Sequence, residues 1–148
     1  MGGNEVIREF RNEDLDEIMK LWLKTNQSAH SFIDGSFWED HYESVKQMLP
    51  QAVIYVYEDE KDHTIMAFTG LMDQYIAGIF VSEKIQSQGV GKKMLTHLKH
   101  INDELMLHVY QKNERAVRFY LREGFLVEKE QMDQETGEME YQMKWNQK

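Results

Sequence analysis

Between Ile79 and Leu95 the chain passes from an apolar run, Ile79-Phe80-Val81, through a polar turn into the amphipathic stretch Val90-Gly91-Lys92-Lys93-Met94-Leu95. A glycine-bearing turn between a strand and a helix suits an anion. Glycine lets the backbone approach a ligand closely, and the helix beginning there presents unpaired N–H groups and the positive end of its dipole. A diphosphate is the natural occupant. Two commoner phosphate loops are excluded by spacing. A Walker loop needs Gly-x-x-x-x-Gly-Lys-Ser/Thr, but Lys92 arrives too soon and is followed by Lys93; a dinucleotide fingerprint needs a third glycine where Met94 stands. What remains is Gln86-x-x-Gly89-x-Gly91, with Ser87, Gln88, Val90 and Lys92 as its other contributors.

The elements that must position this turn are readable on either side of it. Glu5 to Phe10 reads as a strand, and Asn12 as the N-cap of a helix whose apolar residues Leu15, Ile18, Met19 and Trp22 repeat at helical spacing until about Thr25. Ser36-Phe37-Trp38-Glu39 has the form of a capping box, which predicts a second helix from about Phe37 that stops before Pro50. Residues 52–57 and 65–72 are β-branched and aromatic and predict a hairpin across the charged turn 58–62. A tight turn at Asp73-Gln74 leads to a strand over 75–81, in which Gly78 marks a bulge or a close backbone approach. Val90, Met94, Leu95, Leu98 and Ile101 predict the apolar face of a third helix, followed by a strand over 105–109 and a fourth helix over 115–122 stopped by Gly124. Two strands, 125–132 and 138–145, close the chain. The order implies an α/β fold with its ligand at the carboxyl end of the strand entering the turn.

Composition narrows the class. A length of 148 residues suits one domain spanning 1–148, and the absence of cysteine excludes a disulfide framework, a thiolate zinc site and a cysteine nucleophile. No apolar run is long enough for a membrane span, and the N-terminal residues lack the basic and apolar regions of a signal peptide, so a cytoplasmic protein is expected. A net charge of -9 argues against nucleic acid as a partner. It serves solubility and also permits a cationic substrate. His97 and His100, three apart on the third helix, lack partners at matching offsets and predict exposed helix residues; no metal is expected.

Gln86-x-x-Gly89-x-Gly91 resembles the pyrophosphate signature of the GNAT superfamily of N-acetyltransferases. A second segment, Asn113-Glu114-Arg115-Ala116-Val117-Arg118-Phe119-Tyr120-Leu121-Arg122-Glu123-Gly124-Phe125, is similar to that family's Asn-x-x-Ala-x-x-Phe-Tyr-x-x-x-Gly-Phe. The runs Leu107 to Asn113 and Ala29 to Ile33 resemble a subgroup of small bacterial members. Many members carry Pro where Glu83 stands and Arg where Gln86 stands, and the subgroup often has Glu where His108 stands. The resemblance implies a mixed, twisted, mostly antiparallel sheet of about seven strands with about four helices, in which the strands ending at Val81 and Val109 run parallel and splay apart. It implies acetyl-CoA in that splay as acetyl donor, and direct transfer to a primary amine of a protein or small molecule in a ternary complex. The alternative is a non-catalytic domain that binds or senses acyl-CoA.

Acetyl transfer to an amine needs a deprotonated nucleophile, a polarised thioester carbonyl and a proton for the departing thiolate. A lysine-like amine has a pKa of roughly 10.4, so a base assists at neutral pH. The resemblance points to Tyr120 as proton donor, a phenol being able to donate without ionising; the other reading is one more core aromatic beside Phe119. His108 stands where relatives use Glu and is either the general base, directly or beside water, or a strand histidine satisfied by its neighbours. Backbone N–H groups of Ile79, Phe80 and Val81, freed by splaying or a bulge, suit the thioester carbonyl. Asn113 caps the fourth helix or holds the pantetheine arm, and both roles are compatible. His30, Phe32 and Trp38, between the first two helices, either shape the acceptor pocket or pack the helices on the sheet, and Asp73 and Tyr75 face the same region. The expected partner is an amine-bearing acceptor; the chain itself is expected to be a monomer, or a homodimer if an edge strand of its C-terminal pair is exposed.

Overall fold

The computed structural model describes residues 5–86 and 88–147, so Ser87 of the turn lies outside the described residues. In chain order the elements are β1 (Glu5–Glu9), α1 (Leu15–Ala29), α2 (Gly35–Met48), β2 (Val53–Asp59), β3 (Ile65–Met72), β4 (Tyr75–Val81), α3 (Val90–Ile101), β5 (Glu104–Tyr110), α4 (Glu114–Arg122), β6 (Leu126–Met132) and β7 (Met139–Asn146). Short 3-10 turns precede α1, follow α2 and follow β4. The strands form one seven-stranded sheet in the order β1-β2-β3-β4-β5-β7-β6. Every neighbouring pair is antiparallel except β4 with β5.

That parallel pair is short. Only Tyr75 with Met106 and Ile76 with Leu107 are in register, and beyond them the strands part. A bulge helps to turn β4 away: Gly70 faces Gly78 but Leu71 faces Ile76, leaving Ala77 as the extra residue. Gly78 is needed beside it, because a β-carbon there would stand 2.4 Å from Cζ of Phe80, whose ring lies back along the strand and stacks on Phe68 at 4.7 Å.

The sheet is covered on both faces. Ile18, Met19 and Trp22 of α1 and Trp38 of α2 pack on Ile54, Val56 and Phe68. Trp22 meets Trp38 edge to face at 5.9 Å, an arrangement that adds about 1 kcal/mol to the burial itself. On the opposite face Leu95 and Leu98 of α3 and Tyr120 of α4 close over Ile76, Leu105, Leu107, Val109 and Met143. Phe125, expected to begin a strand, is wholly buried in this core and β6 starts one residue later.

Several boundaries differ from the expectation for local reasons. Asn12 lies in a 3-10 turn, and Asp14 stands at the start of α1. The helix runs a full turn past Thr25 because Thr25 Oγ1 donates to the Leu21 carbonyl (2.8 Å) and Asn26 Nδ2 to the Trp22 carbonyl (3.0 Å); polar residues thereby bond back along the helix instead of ending it. The cap of α2 is Asp34, whose carboxylate accepts from the Ser36 N–H at 2.9 Å, so the helix begins before the expected capping box. β2 extends through Glu58 and Asp59, and Glu58 with Asp14 forms a pair of buried carboxylates around the Arg8 guanidinium. Ile101, expected on the apolar face of α3, is half exposed, and His97, expected in solvent, lies edge-on to Tyr55 at 4.5 Å.

Candidate active site at the β4/β5 splay

The turn from β4 to α3 has the backbone geometry that an anion site needs. Gly89 caps α3 in the left-handed conformation (φ 82°), with no atom within 4 Å of where a β-carbon would stand. An open, strained-for-others glycine at a helix start leaves the first N–H groups of α3, those of Val90, Gly91 and Lys92, facing outward. A β-carbon at Gly91 would meet Cζ of Phe119 at 3.5 Å, an ordinary contact, so α4 packs over the start of α3 with room for a methyl group. Gln86 closes the other side: its Nε2 donates to the Val81 carbonyl (3.0 Å) and its Oε1 accepts from Arg115 (3.1 Å). Arg115, inside the matched α4 segment yet not singled out from sequence, thus brings a guanidinium to the cradle. Gln88 and Lys92 are exposed at its rim, while Lys93 turns back to the Tyr57 hydroxyl (3.4 Å). Glu83, the departure from proline, has a local partner: its carboxylate accepts from the Ser28 hydroxyl at the end of α1.

Within the splay the backbone of β4 is directed at the gap. The Ser82 N–H donates to the Met66 carbonyl on β3 (2.8 Å), and alternation along a strand then turns the N–H of Phe80 toward β3 and those of Ile79 and Val81 away from it. β5 does not reach that far, since its register with β4 ends at Ile76. Ile79 and Val81 therefore aim peptide donors into open space beside the cradle; Phe80 does not, its ring and its N–H both being committed to β3.

Two tyrosines and a histidine line the base of the gap. Tyr120, 8 % exposed, packs against Phe119 and Phe125 at 5.1 and 5.5 Å. Among the described residues its hydroxyl has no hydrogen-bond partner. Burial raises its pKa, helped by the nearby Tyr75 phenol, so it is a neutral O–H at any ordinary pH. Tyr75 is likewise raised by burial and by the charges of Glu140 and Asp133. Its hydroxyl lies 3.0 Å from Nδ1 of His108, and Nε2 of His108 lies 3.2 Å from Oε1 of Gln142 on β7.

The helical side supplies an aromatic wall. His30, at the end of α1, stacks on Trp38 at 5.4 Å and meets Tyr110 edge-on at 5.1 Å, and Phe32 meets Tyr110 at 5.7 Å. Asn113 ties this wall to α4. Its Oδ1 accepts from the Ala116 N–H (3.3 Å), which caps the helix and leaves Nδ2 to donate to Nε2 of His30 (3.2 Å). The proton of His30 is then on Nδ1, which is buried without a partner, as is Nε1 of Trp38. Burial lowers the His30 pKa to about 4, so the ring is neutral at pH 7. Phe32 offers a cation seat: Nζ of Lys112 lies 5.7 Å from its ring centre. Asp73 stands apart from all of these. It is an exposed turn residue before β4 with φ 56°, and no described hydrogen bond or ring contact ties it to the others.

Tyr110 and Gln142 were not legible as site residues. Tyr110 falls on the same face of β5 as His108 by simple alternation, but Gln142 is positioned only by the β5–β7 register. Among the described residues no cluster of three or more His, Asp or Glu side chains could hold a metal ion, and no helix is long and apolar enough to cross a membrane.

The profile of the acetyltransferase (GNAT) family matches residues 4–125. Among individual proteins the chain is similar to the peptidyl-lysine N-acetyltransferase YiaC of Escherichia coli, 33% identical over 82% of this chain and 84% of that protein. It is 29% identical to the peptidyl-lysine N-acetyltransferase YjaB of Escherichia coli over 82% of each chain. The solution structure of the apo form of Escherichia coli YjaB superposes with a TM-score of 0.84 at 25% identity, covering 95% of this chain and 97% of that one. With the glycine cradle, the splayed parallel pair and the α4 tyrosine all in one chain of this sheet order, the protein belongs to the acetyltransferase (GNAT) family and is an N-acetyltransferase.

Proposed function

We propose that this enzyme transfers the acetyl group of acetyl-CoA to lysine side chains of proteins or peptides, and that the splay between β4 and β5 is where it does so. The observation that carries the reading is the opening of that pair after Ile76: it leaves the Ile79 and Val81 N–H groups without a strand partner between an anion cradle on one side and the Tyr75, His108 and aromatic cluster on the other. In this reading the N–H groups of Val90, Gly91 and Lys92, with Gln86, Gln88 and Gly89 shaping the turn, hold the diphosphate, and the charges of Lys92 and Arg115 reinforce them. Asn113 and the Ile79 to Val81 backbone align the pantetheine arm. Peptide donors aimed at the thioester oxygen stabilise the negative charge that develops there.

The acceptor enters from the α1/α2 side. His30, Phe32, Trp38 and Tyr110 form a wall suited to the aliphatic stem and cationic head of a lysine, and the seat over Phe32 already holds such a head. The amine gives up its proton to the Tyr75 oxygen as the Tyr75 proton passes to Nδ1 of His108. As the carbon–sulfur bond breaks, the Tyr120 hydroxyl gives its proton to the departing sulfur and is left as a phenolate; the His108 imidazolium then returns its proton through Tyr75 to solvent and Tyr120 takes one up from solvent, so that each group ends in its starting protonation state. With no cysteine available to carry the acetyl group, both substrates are held together. The lysine acceptor is supported by the two relatives named peptidyl-lysine N-acetyltransferases and by the shape and chemistry of the wall.

The test has two stages. Calorimetric titration with acetyl-CoA, CoA, ATP and NAD should show binding of the first two only. Thiol release is then followed with a lysine-containing peptide, the same peptide with its lysines replaced by norleucine, and spermidine. Turnover confined to the first supports the reading; equal turnover of the norleucine peptide moves the acceptor to the N-terminal amine, and preference for spermidine removes the peptide.

A further inference from the structure

The hydrogen bonds of His108 do not stop at Gln142. On the far side of that amide, Nε2 of Gln142 donates to Oε1 of Glu128 at 2.9 Å, so an unbroken line runs Tyr75, His108, Gln142, Glu128 across four strands. Gln142 is the direct cross-strand partner of His108 on β7. Glu128 reaches the same face because of a bulge: Val127 faces Met143 but Lys129 faces Gln142, leaving Glu128 as the extra residue. Bulges re-aim side chains in this way beside functional sites.

We infer that Glu128 and Gln142 are positioning residues that fix the tautomer of His108 and thereby leave its Nδ1 free to receive a proton through Tyr75. The chemistry follows from donors and acceptors alone. An ionised carboxylate only accepts, so Glu128 takes the NH2 end of the Gln142 amide and turns its oxygen toward β5. That oxygen only accepts, so Nε2 of His108 must carry the ring proton. Nδ1 then holds the lone pair, and the Tyr75 hydroxyl donates to it. When the amine proton reaches the Tyr75 oxygen, the existing Tyr75 O–H bond breaks and an Nδ1–H bond forms; the imidazolium that results keeps its Nε2–H on Gln142. In the other tautomer Nδ1–H would point at the Tyr75 oxygen and this transfer would have no recipient.

The other charged and titratable groups of this face surround the line without entering it. Glu140 and Lys144 flank Gln142 on β7, Lys144 facing Glu104 on β5 at 3.6 Å. Asp133 beyond β6 accepts from the Tyr110 hydroxyl at 2.6 Å. Lys129 is the neighbour of Glu128 on the bulge. Glu128 itself is exposed on the edge strand, so its replacement leaves the core untouched.

The inference rests on the reading of His108 as proton acceptor, and its test is kept separate from turnover. The 15N resonances of His108, assigned by comparison with His108→Gln, are recorded on the free protein at alkaline pH, on the plateau where they no longer change with pH. The intact protein should show Nε2–H alone. Glu128→Ala frees the amide to turn over and should draw the two nitrogen shifts toward each other as the tautomers mix. Adding Gln142→Glu, which places an acceptor-only group against Nε2 with no need of Glu128, should restore the first spectrum. With a peptide substrate, Glu128→Ala lowers kcat by the fraction of wrong tautomer, about two-fold for an even mixture, and leaves the acceptor KM unchanged. Nδ1–H in the intact protein, or identical spectra for the intact protein and Glu128→Ala, overturns the lock. Undiminished turnover by His108→Gln overturns the base instead, whatever the spectra show.

Discussion

Replacing Tyr120 by Phe removes one oxygen from the centre of the proposed site and almost nothing else. The ring keeps its edge contacts with Phe119 and Phe125, and the hydroxyl gives up no hydrogen bond among the described residues, so unfolding free energy should move by no more than about 0.5 kcal/mol. The cradle lies at the other end of the splay, formed by Gln86, Gln88, Gly89 and the first turn of α3, and coenzyme A should bind as tightly as before. The rate is a different matter. A positioned general acid contributes about 10² to 10⁴, or roughly 3 to 5 kcal/mol of barrier, and burial keeps this phenol protonated well beyond neutrality. The loss in kcat should therefore be at least about a hundredfold and the same across about pH 6 to 9, because the group does not titrate there. Steady-state thiol release as a function of pH, calorimetry with CoA and thermal melts on the same preparation give the three numbers. Undiminished kcat would refute the role of Tyr120, as would a rate loss accompanied by an equal loss of CoA affinity, which would make it a binding or packing residue.

The two glycines of the cradle should part company on substitution. Gly89→Ala meets no neighbour but forces alanine to φ 82°, which costs about 1 kcal/mol in a urea melt and weakens acetyl-CoA binding; Gly91→Ala meets only the edge of Phe119 at 3.5 Å and should leave both within error. Asp34→Ala removes the cap of α2 and should lower stability by about 1 kcal/mol without touching coenzyme affinity, whereas Ser36→Ala should cost less. Stability should fall on acidification in two stages. His30 is held at about 4, below its unfolded value, so the unfolded chain takes up a proton first and stability declines as pH drops from about 6.5 toward 4. Glu58 is lowered by His63 and Arg8, and Asp14 is lowered because its bonds to Arg8 and to the Arg11 backbone outweigh burial; their contribution is present above the usual carboxylate range and disappears as pH falls through it. Melts of His30→Asn against pH should lack the upper stage and keep the lower.

What the sequence made legible was whatever depends on neighbours along the chain. The cradle is a contiguous turn, and the Asn113 to Phe125 segment is one helix with its cap, so both could be read from types and spacing. The cap of α2 misled because Asp34 and Ser36 are both good capping residues and only the path of the chain after Ile33 decides between them. The end of α1 misled for a related reason: Thr25 and Asn26 are poor helix formers in solvent, but buried they satisfy themselves on the preceding turn. The partners of His108 were out of reach for a different reason. Gln142 and Glu128 are set by strand register and by a bulge, and register is a long-range property that no local pattern reports.

The brevity of the β4–β5 pairing has a consequence for the molecule at rest. Two residue pairs join β1 to β4 with β5, β7 and β6, and the other links between those halves of the sheet are side-chain packing beneath α3 and α4, the ring contacts of His30 and Phe32 with Tyr110, and scattered hydrogen bonds such as Tyr75 with His108 and Asn113 with His30. The seam is the weakest line in the sheet, so amides of β5 and β7 should exchange with solvent through an opening smaller than global unfolding. In the proposed reading a ligand lying in the gap would touch both banks, the β4 backbone on one side and Asn113 on the other. It would raise the melting temperature in proportion to the logarithm of its concentration and silence that partial opening first, so the cellular acetyl-CoA level would set how often this protein exposes its own interior.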